Sequence, residues 1–321
     1  MAEARLRGGI DLGGTKIQAV VVDAGHAVAG QQRMPTPTTG GPEDVAAAMA
    51  EAMSAAAAEA GVKTAELTHV GVGSPGGVDA AAGTVTSAKN LPGWEGVFPL
   101  GDELSERLGT KVALGNDVQV ATDAEAQLGA GRDYNSMLGV FWGTGVGGGI
   151  VLDGKPWLGQ GGAGEIGHVV VKVGGARCPC GREGCMEAYA GRNAMERRAR
   201  ELHDKGEHTD LFKIARERHR ERLTSGIWAR ALEREDPLAT KLVDRAIEAL
   251  GAGVASVDNV LDVEVIILGG GLGVRLGQPY ADRIAEAMMP HLFHDQRPPP
   301  LVVAELGDLG GAIGASLLEP A

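Results

Sequence analysis

Residues 9–23 of the chain read GIDLGGTKIQAVVVD. Two apolar runs flank the turn Gly13-Gly14-Thr15, which predicts a β-strand, a tight glycine turn and a second strand. Residues 139–153, GVFWGTGVGGGIVLD, repeat the order of strand, Gly/Thr turn, strand and aspartate. The repeat predicts two domains built on one plan, each with a glycine hairpin. The alternative is that two hairpins in a glycine-rich chain have converged on similar sequences.

Short β-rich runs alternate with longer helical runs along the rest of the chain, which is typical of an α/β protein. We expect strands at residues 69–74, 111–114, 263–268 and 301–304. We expect helices at residues 42–60, 117–128 and 275–291, a mostly helical stretch at 187–262 and a final helix from Leu309. The length of 321 residues is sufficient for two domains.

The composition argues against several classes of protein. Glycine makes up 51 of the 321 residues but shows no G-X-Y period, which excludes collagen. The net charge of −12 argues against binding to nucleic acid or an anionic membrane. The densest basic run, residues 192–222, balances ten Lys/Arg with seven Asp/Glu and predicts solvated helix faces. We find no apolar run that could span a bilayer and no signal-peptide core, so we expect a cytoplasmic protein.

The first glycine turn, DLGGTK at residues 11–16, carries groups that bind phosphate. Gly13 and Gly14 let backbone N–H groups approach an anion, Thr15 adds a hydroxyl donor and Lys16 adds a positive charge. Asp11 ends the preceding strand, where a carboxylate can hold a water of a Mg²⁺ shell. An ordinary hairpin turn is the alternative interpretation.

Two further glycine turns are candidates for the same ligand. Residues 142–149, WGTGVGGG, contain G-x-G-x-x-G, but a strand follows instead of a helix, which excludes dinucleotide binding and favours a second phosphate clamp. The sequence has no G-x-x-x-x-G-K-[ST], so it has no P-loop. Residues 268–273, LGGGLG, follow an apolar strand and precede a helix, and a crevice there suits a flat nucleoside. On its own this third signal is weak.

His168 and the three cysteines of the chain, Cys178, Cys180 and Cys185, predict a metal site. Three thiolates and one imidazole make up the closed Cys₃His set of a structural zinc site. The cysteines lie within eight residues, and an odd, clustered set favours metal over disulfides. The alternative is three reduced cysteines in a surface loop.

Two glutamates flank this loop, Glu165 three residues before His168 and Glu187 two residues after Cys185. A zinc loop that holds these groups together predicts a rigid polar cluster for binding polyhydroxyl compounds. Without the metal, surface glutamates are commonplace and need no function.

The pair Asn116-Asp117 lies where a predicted strand becomes a helix. Such an aspartate commonly caps its helix. The functional alternative is a general base at the end of a strand, facing a cleft between the domains.

These motifs together resemble the ROK family of sugar kinases, within the actin-like, hexokinase-type ATPase superfold. The resemblance extends from Asp11 to Ser316 and keeps the family's order of motifs. The matching segments are DLGGTK (11–16), GSPGGVD (73–79), NLPGW (90–94), ND (116–117), GTG (143–145), EIGH (165–168), CPCGREGC (178–185) and LGGG (268–271).

The resemblance implies a two-domain α/β fold with an inter-domain cleft. The smaller domain is expected at residues 1–116 plus 307–321, with the first phosphate turn and part of the sugar site. The larger domain is expected at residues 117–306, with the second phosphate turn, the zinc loop and the glycines on the adenosine side. A homodimer or homotetramer is also expected from the resemblance.

The resemblance implies a role for each matching residue. Asp117 is the general base on the sugar hydroxyl. The sugar ring is held by Gly76 (through its backbone), Asn90, Asn116, Glu165, His168 and Glu187. The phosphates of ATP and its Mg²⁺ are held by Asp11, Gly13, Gly14, Thr15, Lys16, Thr144 and Gly145, and Gly270 and Gly271 border the adenosine. Structural Zn²⁺ is bound by His168, Cys178, Cys180 and Cys185, and His168 offers its second nitrogen to a sugar oxygen.

The implied activity is ATP-dependent phosphorylation of a hexose at its 6-hydroxyl, with glucose as the first expectation. N-acetylmannosamine, N-acetylglucosamine, mannose and fructose are alternative acceptors, and polyphosphate is an alternative donor. The sequence departs from the family around the base: Gly115-Asn116-Asp117-Val118-Gln119 stands where the family often has Glu-Asn-Asp-Ala-Asn. This departure bears on substrate preference more than on activity.

Two non-catalytic functions remain as alternatives. The family includes sugar-responsive repressors with a helix-turn-helix ahead of the kinase-like body, but only ten residues precede Asp11 here, so we do not expect one. A silent sugar sensor is the other alternative, and the presence of Asp117 and both phosphate turns argues against it.

Overall fold

The computed structural model describes residues 5–88 and 91–320. The chain divides into two compact units. The first contains the chain up to Arg132, the segment Pro156–Ala163 and the chain from Glu305, and the second contains Asp133–Lys155 and Gly164–Ala304. Within the described ranges, no helix combines the length and hydropathy needed to cross a membrane.

The elements follow one another in α/β order. The first part of the chain forms β1 (Arg7–Leu12), β2 (Lys16–Val22), β3 (Val28–Pro35), α1 (Pro42–Glu59), β4 (Val70–Ser74), β5 (Gly77–Asp79), β6 (Thr84–Thr86), β7 (Val97–Phe98), α2 (Leu100–Leu108), β8 (Val112–Asn116) and α3 (Asp117–Leu128). The remainder forms β9 (Met137–Trp142), β10 (Val146–Leu152), β11 (Lys155–Pro156), α4 (Glu187–Ala190), α5 (Arg192–Asp204), α6 (Leu211–Glu217), α7 (Ser225–Glu233), α8 (Pro237–Leu261), β12 (Val265–Gly269), α9 (Gly270–Leu276), α10 (Gln278–Met288), β13 (Leu301–Val303) and α11 (Gly310–Ala315).

Each unit is built on a five-stranded sheet with the same plan. The first sheet has the order β3-β2-β1-β4-β8 and the second has the order β11-β10-β9-β12-β13. In each, an antiparallel hairpin (β1–β2 or β9–β10) is followed by parallel strands, β4 and β8 in one case and β12 and β13 in the other. The predicted repeat of residues 9–23 and 139–153 is therefore confirmed as two hairpins in equivalent places. A small third sheet, β5-β6-β7, belongs to the first unit.

Helix α1 covers one face of the first sheet. Pro42 opens the helix, with Glu43 and Asp44 in its first turn, where negative charge is favourable. Val45, Met49 and other apolar residues of α1 are fully buried against the sheet. The spacing of four residues keeps these side chains on one face of the helix, and their burial is the main stabilising contribution of this layer.

The opposite face of the first sheet is covered by α11 at very short range. A side-chain carbon added at Gly9 would overlap the carbonyl oxygen of Ala312, and one at Gly71 would overlap that of Ala315. A carbon at Gly314 would overlap a backbone oxygen of α3 in the same way. The glycines therefore permit backbone-to-backbone packing among β1, β4, α3 and α11.

This packing moves the boundary between the units. The sequence predicts residues 117–306 for the larger domain, whereas the structure places α3 in the first unit and ends its first segment at Arg132. The C-terminal segment of the first unit begins at Glu305, two residues earlier than expected, and Pro156–Ala163 also belongs to this unit. The physical reason is that α3 packs on α11 and continues directly from β8.

The second unit has its core around β9, β12 and α8. Trp142 and Trp228 are fully buried, and the indole nitrogen of Trp142 donates to the carbonyl oxygen of Ala190 at 2.7 Å. The single helix predicted at residues 275–291 is wrong, because α9 ends at Leu276 and α10 begins at Gln278. Gly277 between them has φ +74°, which breaks the helix.

Candidate active site

Hydrogen bonds with neighbouring residues fix the turn between β1 and β2. The amide of Gly13 donates to the carbonyl oxygen of Lys16 at 2.9 Å, and the hydroxyl of Thr36 donates to the carbonyl oxygen of Gly13 at 2.6 Å. Within residues 5–88 and 91–320, the amides of Gly14 and Thr15 have no protein acceptor. These two N–H groups are available to an anion, as the sequence predicts for this turn.

Asp11 and Lys16 are the two charged residues that flank this turn. Burial raises the pKa of Asp11 above its ordinary value, and the positive charge of Lys16 partly opposes this. The Lys16 ammonium lies 3.5 Å from the carbonyl oxygen of Asp308 and 4.0 Å from its carboxylate. A bound cation near Asp11 would favour the charged carboxylate, which fits the predicted role beside Mg²⁺.

Asn116, not Asp117, caps helix α3. The side-chain oxygen of Asn116 accepts the amides of Val118 and Gln119, both at 3.1 Å, which leaves its –NH₂ group as the donor for a ligand. Asp117 is the first residue of α3, and its carboxylate accepts the amide of Val118 at 3.0 Å. The alternative that Asp117 is the cap is therefore wrong, and its carboxylate lies at the helix N-terminus, a favourable place for negative charge.

The register of the first sheet brings Asp11 and Asp117 to one edge. Asp11 pairs with Gly73 in the parallel ladder β1–β4, and Gly73 pairs with Gly115 in β4–β8. Parallel strands end at the same edge of a sheet, and two strand spacings amount to about 10 Å. The carboxyl edge of this sheet therefore carries Asp11, the end of β4 and the Asn116-Asp117 pair.

Gly76 follows the end of β4 at the same edge. Its φ of +93° and the 2.6 Å between an added side-chain carbon and the Thr86 carbonyl oxygen both require glycine. Because Gly76 has no side chain, its backbone is the group that can make the predicted contact with the sugar. The predicted sugar ligand Asn90 lies outside the described residues.

In the second unit, His168 and the three cysteines form one cluster. Their donor atoms all lie within 4.8 Å of one another, with 3.7 Å between the sulfurs of Cys180 and Cys185 and 3.8 Å from His168 Nδ1 to Cys178 Sγ. Zn–S bonds of about 2.3 Å give a tetrahedron with edges of about 3.8 Å, so the donor set fits a tetrahedral zinc site. The proposed ligands are thus arranged as a structural zinc site requires.

The thiols of this cluster differ in acidity. A hydrogen bond from the Arg182 backbone lowers the pKa of Cys180 to about 6, whereas burial raises the pKa of Cys178 to about 12 and also raises that of Cys185. Zinc binds thiolates, so loading the site would release protons and metal affinity would fall at low pH.

His168 and Glu187 connect the cluster to polar neighbours. The Nε2 atom of His168, which faces away from the cysteines, lies 3.8 Å from the Glu165 carboxylate. One oxygen of Glu187 accepts the amide of Val146 at 2.9 Å, and the other lies 3.9 Å from Cys178 Sγ. Glu187 therefore links the cysteine loop to the second glycine turn, while its remaining lone pairs can accept a ligand hydroxyl.

The second glycine turn has the same open character as the first. The amide of Gly143 donates to the carbonyl oxygen of Gly145 at 3.0 Å, and a side-chain carbon at Gly145 would overlap the Glu187 carboxylate. In the described part of the chain, the amides of Thr144 and Gly145 have no protein acceptor. Two backbone donors and the exposed Thr144 hydroxyl are thus presented together.

The third glycine cluster lies beside this turn. Gly269 pairs with Phe141 in the parallel ladder β12–β9, so both turns are at the carboxyl edge of the second sheet. Gly270 has φ +80°, and a side-chain carbon at Gly143 would lie 3.7 Å from the Gly271 amide nitrogen. The structure therefore brings the predicted phosphate turn and the predicted nucleoside border together.

Arg192 is a residue of this region that the sequence analysis missed. Its Nη2 donates to the Thr144 hydroxyl and its Nη1 donates to the Ser225 hydroxyl, each at 3.0 Å. The basic run from Arg192 predicts solvated helix faces, which is wrong for its first member because Arg192 is half-buried. Its partners are 48 and 33 residues away, so no local pattern indicates the contact.

Each unit has a five-stranded sheet with an antiparallel hairpin, and the glycine turn of each hairpin has backbone amides that are open to an anion. Two such sheets define the actin-like class of phosphate-binding folds.

Comparisons with known proteins agree with this class of fold. The model of the ROK family matches residues 7–321. A glucokinase from Thermotoga maritima is 33% identical over 96% of this chain and 95% of its own. The N-acetylgalactosamine kinase AgaK from a Shewanella species is 34% identical over 97% of this chain and 95% of its own.

A solved structure adds the fold. The ROK family glucokinase from Streptomyces griseus, in complex with glucose and AMPPNP, is 30% identical, with a TM-score of 0.83 over 97% of this chain and 98% of its own. The chain belongs to the ROK family. The predicted family and the two-domain actin-like, hexokinase-type α/β fold are thereby confirmed, and the relatives support a hexokinase-type sugar kinase as the class of enzyme.

Proposed function

We propose that the protein transfers the γ-phosphoryl group of ATP to the 6-hydroxyl of a hexose, most favourably glucose. The observation that carries the proposal is the position of Asp117, at the first turn of α3 and on the same sheet edge as Asp11. One carboxylate near the donor's cation and a second one near the acceptor are what a phosphoryl transfer with a general base requires.

The acceptor half of the reaction is assigned to the end of β8, the start of α3 and the polar residues around the cysteine loop. Asp117 takes the proton of the 6-hydroxyl as the bond from that oxygen to the γ-phosphorus forms and the bond to the β-phosphate oxygen breaks, which releases ADP. The –NH₂ group of Asn116 and the backbone of Gly76 orient the sugar. Glu165, His168 and Glu187 bind further hydroxyls, with His168 donating or accepting through Nε2, which is not directed at the cysteines.

The donor half is assigned to the glycine turns. The amides of Gly14, Thr15, Thr144 and Gly145 are open to phosphate oxygens, and Lys16 adds a positive charge. Mg²⁺, held through Asp11, supplies charge neutralisation of the phosphates. Gly270 and Gly271, which follow the carboxyl end of β12, border the nucleoside. Phosphoryl transfer needs mainly positioning and charge stabilisation, and these residues supply both.

Zinc at His168, Cys178, Cys180 and Cys185 has a structural role in this proposal. It holds the loop that carries Glu187 and fixes the ring of His168, so that Nε2 faces the sugar. The residues near the metal that act on the substrate are Glu165, Glu187 and the imidazole of His168.

We further propose a homodimer or homotetramer on the basis of the family, which light scattering with size exclusion would test.

N-acetylhexosamines are the second candidate substrate class. The N-acetylgalactosamine kinase is as similar to this chain as the glucokinase is, at 34% against 33% identity. Val118 and Gln119 stand where the family often has Ala and Asn, so the residues after the base do not favour glucose specifically. Mannose and fructose stay as further alternative acceptors, and polyphosphate stays as an alternative donor.

The test is sugar-dependent release of ADP from Mg-ATP with a panel of sugars. The panel contains glucose, mannose, fructose and the N-acetyl derivatives of glucosamine, mannosamine and galactosamine, with a no-sugar control. We expect release with at least one sugar, and 6-deoxyglucose should be inert because it lacks the attacking hydroxyl. The phosphorus NMR spectrum of the product identifies the phosphorylated position. Sugar binding without any ADP release would refute ATP as the donor and favour a polyphosphate-dependent kinase or a sensor.

A further inference from the structure

Arg192 is a half-buried cation beside the second glycine turn. Among the described residues, no carboxylate lies within 4.0 Å of its guanidinium. The acid that acts on it electrostatically, Glu196, is engaged by two other arginines, Arg200 at 2.7 Å and Arg222 at 3.3 Å. Burial lowers the pKa of Arg192, although a guanidinium keeps its charge at all ordinary pH values. A half-buried charge in this setting is stabilised by an anion.

The guanidinium is held in place by two hydroxyls and by its own backbone. Nη2 donates to Thr144 and Nη1 donates to Ser225, and neither hydroxyl compensates a full charge. The amides of Arg192 and Asn193 donate to the carbonyl oxygens of Gly143 and Thr144, both at 3.1 Å. The first turn of α5 is therefore fixed against the glycine turn, and a guanidinium has five N–H donors, more than these two hydroxyls use.

The groups around Arg192 indicate where such an anion would lie. The open amides of Thr144 and Gly145 belong to the same turn, and a side-chain carbon at Gly271 would lie 3.6 Å from the Ser225 hydroxyl. A group bound to Arg192 would thus contact the turn on one side and the nucleoside border on the other. A nucleotide fits this arrangement, with its phosphate chain at the glycine turn and Arg192 and its nucleoside at the nucleoside border.

We propose that Arg192 binds the phosphates of the nucleotide directly and so sets the affinity for the phosphoryl donor. The inference rests on the proposed kinase function and adds to it a cation of the second unit. Thr144 and Ser225 position the guanidinium, and the bonds from Arg192 to phosphate oxygens are charge-assisted, which are the strong ones in proteins. The alternative is that Arg192 only ties α5 and α7 to the turn.

Calorimetric titration of the whole protein with MgADP and, separately, with adenosine distinguishes these two roles. We expect Arg192→Gln to weaken MgADP binding by about 10- to 100-fold while adenosine binding changes by less than about twofold. Arg192→Lys keeps the charge and should recover part of the affinity. The matched control is Arg230→Gln on α7, which removes an exposed arginine that pairs with Glu233 at 2.8 Å and should change neither affinity.

Steady-state kinetics supply a second readout. The KM for MgATP should rise in Arg192→Gln while the KM for the sugar stays within about twofold, and the melting temperature should match that of the control. Unchanged MgADP affinity, or an equal loss for MgADP and adenosine, would overturn the inference and leave the kinase proposal standing. Failure of the unaltered protein to bind MgADP would overturn both.

Discussion

Asp123 on α3 is a half-buried carboxyl of the first unit whose charged form is disfavoured by burial, and its replacement by asparagine tests this. Burial raises the pKa of Asp123 to about 7, although Gln119 donates a hydrogen bond to its carboxylate at 2.6 Å and opposes the shift. Asparagine has the same shape and keeps an oxygen to accept the Gln119 bond. The substitution therefore removes the ionisation and little else.

The magnitude follows from linkage between protonation and folding. A carboxyl with a pKa near 3.8 in the unfolded chain and about 7 in the folded chain holds its proton more tightly when folded. The unit is therefore destabilised as pH rises from about 4 to about 7, and the loss is complete above the folded pKa. Each unit of pKa corresponds to about 1.4 kcal/mol, which gives an upper limit of about 4 kcal/mol at pH 8, about 2 kcal/mol at pH 5 and nearly none below pH 4.

Thermal unfolding at a series of pH values measures this effect. Asp123→Asn should raise the melting temperature of the first unit by about 5 to 15 °C at pH 8, and the gain should shrink steadily towards pH 4. Glu51→Gln, at an exposed position in the middle of α1 of the same unit, is the control and should change the melting temperature little at any pH. A gain for Asp123→Asn that does not depend on pH, or a loss at pH 8, would show that the carboxylate is not strained by burial.

Three further substitutions test the fold and the metal loop. Cys178→Ser should abolish the binding of one zinc per chain, measured by elemental analysis, and lower thermal stability; equal zinc content in the variant would refute the cluster. Glu187→Gln should weaken the support of the second glycine turn at Val146, visible as a higher KM for MgATP and for the sugar, with unchanged zinc content as its check. Gly71→Ala should destabilise the first unit by about 3 kcal/mol or more in denaturant unfolding, because the new methyl group overlaps the Ala315 carbonyl oxygen. A wild-type midpoint for Gly71→Ala would contradict this packing.

Local sequence signals predicted the elements that depend on neighbouring residues. Helix α3 was predicted at residues 117–128 and has those bounds, because Asn116 supplies a cap and an apolar face follows. The two hairpins were predicted from apolar runs around glycines. The cysteine cluster was also visible, since its ligands lie close together in the chain and in space.

Features that depend on distant residues were not predictable in this way. The assignment of α3 to the first unit arises from backbone contact with α11, near the other end of the chain, and no local pattern contains it. The contact of Arg192 with Thr144 and Ser225 joins three separate elements. The role of Asn116 as the cap, in place of Asp117, depends on which side chain turns back to the amides, and spacing alone leaves both possibilities open.

Asp117 is the proposed general base of a hexose kinase, and the kinase proposal depends on it. The most direct test compares Asp117→Asn with the unaltered protein for sugar affinity by calorimetry and for kcat with saturating Mg-ATP and the preferred sugar. We expect sugar affinity within about threefold and a fall in kcat of about 100- to 10,000-fold, the usual contribution of a positioned base. Near-full turnover with intact sugar binding would contradict it.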